Sequence, residues 1–104
     1  MNINKQVERI IAWGESKGIM KRENSFKQFT KMTEETGEIA AALFRDDIEL
    51  LKDSIGDQFV TAVILAEQNN LSIYDCIETA LQVIEKRKTI TINGKVMKES
   101  DLKK

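Results

Sequence analysis

Residues 59–66, read FVTAVILA, are apolar on nearly every side of a helix. No other stretch restricts the fold as much. A helix with one apolar stripe needs one neighbour, whereas a helix apolar all round needs neighbours on every side. A chain of 104 residues makes one domain at most, and one short bundle cannot easily wrap such a helix. The expectation is a helical bundle whose core is completed by further copies of the chain.

The flanking sequence fits that picture. Ile3, Val7, Ile10, Ile11 and Trp13 recur at helical spacing, so a first helix is predicted over 3–17, stopped by Gly18. A second, over 25–45, has Ser25 as its candidate cap and Phe26, Phe29, Met32, Thr36, Ile39, Ala40 and Leu43 on its inner side. Asp46 and Asp47 mark a turn, and either can cap a third helix over 48–69. A fourth, over 73–87, carries Tyr74, Ile77, Ala80, Leu81 and Ile84 and runs into the basic residues Lys86, Arg87 and Lys88. The pattern then changes. Thr89 to Ile92 and Lys95 to Met97 flank Asn93-Gly94, which reads as a hairpin over 89–97 with a type I′ turn. The fold class is therefore all-α, four helices with a short C-terminal hairpin, in one domain over 1–104.

Composition narrows the chemistry. Charged residues make up 32% of the chain but nearly cancel, leaving a net charge of −1. Nothing draws the whole molecule to a nucleic acid polymer or an anionic membrane. There is no histidine, and Cys76 is the one cysteine. A zinc site of imidazoles or paired thiolates is excluded, as are a histidine general base and an internal disulfide. Cys76 itself reads as a small apolar helix residue. No apolar run is long enough to span a bilayer, and a cytoplasmic protein is expected. Catalysis would have to use carboxylates, lysines, arginines, hydroxyls and metal.

Carboxylates are where the sequence concentrates. Residues 31–38, KMTEETGE, put Glu34, Glu35 and Glu38 within five positions. Residues three and four apart share a helix face, with Lys31 one turn earlier on that edge. Asp53 and Asp57 follow four apart in the third helix. Such edges can simply face water. Asp57, however, directly precedes the apolar run, where an unpaired carboxylate is costly unless it finds a charge partner or a metal. Magnesium prefers oxygen ligands and keeps several waters, which suits carboxylates facing a phosphate-bearing molecule. Trp13 can stack on a nucleobase or anchor an interface.

Residues 31–39, KMTEETGEI, resemble the first motif of the MazG-type all-α nucleoside triphosphate pyrophosphohydrolases, an ExxE on a helix, with Glu35 and Glu38 in its two positions. Residues 54–57, SIGD, resemble the family's second motif, ExxD, except that Ser54 stands where glutamate is usual. Asp53 is adjacent and is expected to supply the missing carboxylate. The likeness covers about residues 25–88 and is closest to the short, phage-associated members. It implies hydrolysis of a nucleoside triphosphate to the monophosphate and pyrophosphate. Glu35, Glu38, Asp53 and Asp57 would hold Mg2+, or Mn2+ in its place. Glu34 would join Glu35 and Glu38 in the catalytic set, adding a ligand or orienting water. Lys31, Arg87 and Lys88 are candidates for phosphate contacts, the last two sharing that role with simple charge complementarity at a helix C-terminus. Trp13 completes the substrate-binding set. The resemblance also implies a homodimer or homotetramer. Ser54 keeps a second reading open, a non-catalytic helical oligomer that binds nucleotide or a protein partner. A redox di-iron bundle is disfavoured, since such sites generally use Glu-x-x-His pairs.

Overall fold

The computed structural model describes residues 1–87 and 89–99. Helices α1 (Ile3–Ser16), α2 (Ser25–Arg45), α3 (Ile48–Gln68) and α4 (Ile73–Lys86) are followed by strands β1 (Thr89–Ile92) and β2 (Lys95–Lys98). The chain divides into two compact units, Met1–Ile73 and a second beginning at Tyr74.

In the first unit α2 and α3 form the main packing pair, and α1 lies against α3. Three side-chain bonds set the pair antiparallel. Asn69 Nδ2 donates to Ser25 Oγ at 2.9 Å, Gln28 Nε2 to the Thr61 carbonyl at 3.1 Å and Gln58 Nε2 to Thr36 Oγ1 at 3.1 Å. Val63, Ile64 and Ala66 of α3, Ala42 of α2 and Val7 of α1 form the buried apolar core.

The helix ends follow from local chemistry. Asn2 caps α1, its side chain accepting from the Asn4 and Lys5 amides. Asp47 caps α3, accepting from the Leu50 amide at 3.0 Å. Helices α1, α2 and α3 all close through the same backbone motif. A residue two or three past each end returns its N–H to the carbonyl five residues back: Ile19 to Gly14, Asp47 to Ala42 and Leu71 to Ala66. This requires a left-handed residue in between, and Gly18, Asp46 and Asn70 supply it with positive φ. Glycine, aspartate and asparagine tolerate that region best.

Two expectations about α2 need correction. Ser25 does not cap it. A turn of 3₁₀ helix, Arg22–Asn24, runs directly into α2, so Ser25 is its first residue, no side chain caps that end, and the Ser25 hydroxyl accepts from Asn69 instead. Nor is the inner side more than partly the one the apolar pattern suggests: Met32 and Ile39 belong to it, the rest of the set does not. Gln28 and Ala42 are buried and Met32, Glu35 and Ile39 half-buried, whereas Phe26, Phe29, Thr36, Ala40 and Leu43 are exposed. Phe26 and Phe44 are 86% and 95% exposed. Helical spacing locates an apolar stripe but does not say whether the chain itself covers it.

In the second unit α4 leaves Tyr74, Ile77, Leu81 and Ile84 exposed. Strands β1 and β2 pair antiparallel with Thr89 opposite Lys98 and Ile92 opposite Lys95. Asn93 and Gly94 both have positive φ, as a type I′ turn requires.

Candidate functional site

The seam between α2 and α3 is a heptad pattern interrupted by acid. On α2, positions 28, 32, 35, 39 and 42 face α3, and on α3, positions 54, 57, 61, 64 and 68 carry the reciprocal face. Spacing alternating between three and four keeps one line of side chains on the partner helix. Glu35 sits at the middle of the first line and Asp57 next to Ser54 near the start of the second. The helices that hold the core together therefore also bring these carboxylates together, and the cross-helix bond from Gln58 to Thr36 joins the residues that immediately follow each of them.

Beside this seam opens a cavity of about 490 Å3 lined by both carboxylates. Lys27 and Lys31 of α2 and Trp13 of α1 also line it. Trp13 is 51% exposed, so its ring is available to a ligand rather than spent in the core. Val60 and Ile64 supply apolar wall, and Asn24, Gln28 and Gln68 supply amides. The size and the mix of apolar wall with a few polar groups are those of a small-molecule site.

The two carboxylates perturb each other. Glu35 is raised above the ordinary glutamate range, first by partial burial and next by the charge of Asp57, with Lys31 opposing. Asp57 is raised likewise, first by partial burial and next by the charge of Asp53, which also shares a hydrogen bond with it. Glu35 hydrogen-bonds Asp57 as well and acts in the opposite direction. Glu38 and Asp53 add to the negative field at Glu35. Carboxylates held in this way favour any cation that enters between them.

Glu34 and Glu38 lie on the exposed part of α2. Glu34 pairs with Lys31 at 3.3 Å, an exposed bond that contributes at most about 1 kcal/mol and costs little to break. Lys31 can therefore turn to an anionic ligand in the cavity. Asp53 is exposed beside Asp57, while Ser54, at 1% exposure, is buried in the seam. Of the two, only Asp53 offers a carboxylate at the Asp57 edge. Arg87 belongs to the second unit, where it follows α4 and lines a small hollow with Lys95 and Lys98. Lys88, the other basic candidate, lies outside the described residues.

The residues fit a magnesium ion of the substrate-sharing kind. The donors are carboxylate oxygens, and mutual repulsion leaves them in want of positive charge. Among the described residues, no three acidic or cysteine side chains form a ready-made metal cage. Magnesium does not require one, since it is commonly held by one or two carboxylates, waters and the phosphates of its substrate. Sequence reasoning did not single out Lys27, Asn24, Gln28 or Gln68. The available signal was polar residues at seam positions 28 and 68, which spacing alone would have assigned to apolar side chains.

Comparison with known proteins agrees with this geometry. The chain is 36% identical over 70 residues to an uncharacterized 18.2 kDa protein of the rep-hol intergenic region of Haemophilus phage HP1, a match covering 67% of this chain and 43% of that one. The chain thus spans less than half the length of that relative. No solved structure matches it significantly. Among the described residues, no helix is long and apolar enough to cross a membrane. Residues 24–91, which include α2, α3 and the whole carboxylate seam, match the MazG nucleotide pyrophosphohydrolase domain, and the chain belongs to that family.

Proposed function

We propose that this protein hydrolyses nucleoside triphosphates to the monophosphate and pyrophosphate, with magnesium, or manganese, as its cofactor. The observation that carries this reading is the meeting of Glu35 and Asp57 in one cavity with Lys27, Lys31 and Trp13. Glu35 and Asp57 would hold the ion from opposite helices, with Asp53 and Glu38 drawn in from the rim. When bound, magnesium neutralises phosphate charge and polarises the phosphoryl oxygens. Lys27 and Lys31 would bind the phosphate chain and stabilise the negative charge that builds up on it. Water adds to the α-phosphorus in line, the bond to the α–β bridging oxygen breaks, and pyrophosphate leaves. Glu34, on the rim, would orient that water. Trp13 offers a face to the base. Arg87 and Lys88 keep their place as candidate phosphate contacts.

Purified protein with magnesium and a panel of nucleoside triphosphates tests this reading. Pyrophosphate and monophosphate in equal amounts are expected. Release of orthophosphate instead would overturn the assignment of the bond. Nucleotide binding without any turnover would favour the second reading, a binding module, which the loss of the motif's glutamate at Ser54 makes worth testing.

We also propose that the protein is a homodimer or homotetramer. Phe26, Phe29, Leu43 and Phe44 on α2 and Ile77, Leu81 and Ile84 on α4 are large apolar residues left exposed. Apolar surface of that extent is characteristic of an interface. Sedimentation at micromolar concentration should give a multiple of 11.9 kDa; a monomer would rule the proposal out.

A further inference from the structure

We propose that the cavity selects nucleobases bearing an amino group and that Gln68 is the residue that reads it. The proposal rests on the nucleotide reading above and concerns the end of the cavity away from the acids. Along α3 the lining runs from Asp57 through Val60, Thr61 and Ile64 to Gln68; along α2 it runs backwards from Glu35 through Lys31, Gln28 and Lys27 to Asn24 in the preceding 3₁₀ turn. Each line spans eleven residue steps, about 16 Å at 1.5 Å per residue. Because the helices are antiparallel, both acids fall at one end and the amides toward the other. Phosphates belong with Lys31 and the acid-held cation, with Lys27 reaching from farther along the wall, which leaves the amide end for the base.

The amides at that end share an orientation. Gln68 Nε2 donates to the Ile19 carbonyl at 2.9 Å, Asn24 Nδ2 to the same carbonyl at 3.2 Å, and Gln28 Nε2 to the Thr61 carbonyl. A backbone carbonyl can only accept, so these contacts fix which way each amide faces. All three turn a donor toward the protein and keep the carbonyl oxygen for another partner. Gln68 is the strongest case. It is 3% exposed, and its Oε1 is buried with no hydrogen-bond partner. A buried acceptor left unpaired is costly, and a ligand N–H that reaches it recovers that cost. The last torsion of glutamine is broad, so the oxygen can turn toward an entering donor. Cytosine and adenine present an exocyclic amine. Uracil and hypoxanthine carry an oxygen at the same position and would set acceptor against acceptor.

The test compares pairs that differ only there, CTP with UTP and ATP with ITP, on the full-length protein with magnesium. The amino member should have the higher kcat/KM in each pair by about tenfold or more. Gln68→Leu should bring both ratios close to one. Should that variant not fold, Gln68→Met serves the same comparison. Quenching of Trp13, the one tryptophan in the chain, by CMP, UMP, AMP and IMP gives a binding readout that needs no hydrolysis. Tighter binding of CMP and AMP without turnover of any triphosphate would sustain this inference and sink the pyrophosphohydrolase. Turnover with equal ratios, or a preference that survives loss of Gln68, would overturn the inference and leave the enzyme standing. No quenching difference within either pair counts against it in the same way.

Discussion

Asp57→Asn is expected to reduce pyrophosphate release by roughly 100- to 1,000-fold, the scale on which loss of one well-placed electrostatic group costs turnover. The substitution removes one charge from the seam and leaves the volume unchanged, so the fold should survive. Its effect on stability should have the opposite sign. Asp57 is raised in the folded protein by partial burial and by Asp53. A raised carboxyl binds its proton more tightly when folded, so stability is fully present below the unfolded value and lost as pH rises through the folded one. At pH 7 the ionised Asp57 is therefore a burden that asparagine lacks. Without magnesium, Asp57→Asn should melt above wild type at neutral pH, and the gap should close as pH falls toward the ordinary aspartate value of 3.8. Added magnesium should raise the wild-type melting temperature and leave that of the variant nearly unmoved. Circular dichroism melts across pH, with and without the ion, check all three parts. A variant that melts below wild type at pH 7 in the absence of metal would contradict the electrostatic account.

Val63→Ala should cost about 2–3 kcal/mol, from two methyl groups withdrawn from a closed environment and the void they leave. Val63 is 0% exposed, the most enclosed side chain of α3. In a domain of this size the loss corresponds to a fall in melting temperature of roughly 10 °C or more. It should be measured at matched protein concentration, since self-association would make the melting temperature depend on it. A fall of a degree or two would mean that the neighbouring helices close over the gap. The same truncation at Phe44, which is 95% exposed, should leave the single chain's packing untouched and act only through association.

Much of this was legible in the residues. The helices, the left-handed stop at Gly18 and the type I′ turn at Asn93-Gly94 follow from local rules that packing does not override. The pairing of Glu35 with Asp57 was legible for a different reason: motif spacing placed both acids on helices that have to touch. Packing decided what local rules could not. The aromatic residues of α2 repeat at helical spacing on both sides of the seam, and nothing in that repeat says which side the chain covers. Ser25 has the chemistry of a cap, but the preceding 3₁₀ turn takes that position. The amides escaped notice because Gln28 and Gln68, read alone, are ordinary surface residues. They become informative only once Ile19 and Thr61 are seen to occupy their donors.

The cross-helix bonds from Gln28 and Gln58 have one more effect. One bolt lies a turn or more from the acids at Gln28 and the other directly beside them at Gln58, so the two rods are held in register along the acidic stretch. The gap is a fixed gauge, and only side-chain length can adjust it. A glutamate reaching from one wall and the shorter aspartate from the other then set the width of that gap, and lengthening or shortening either by one methylene would change it.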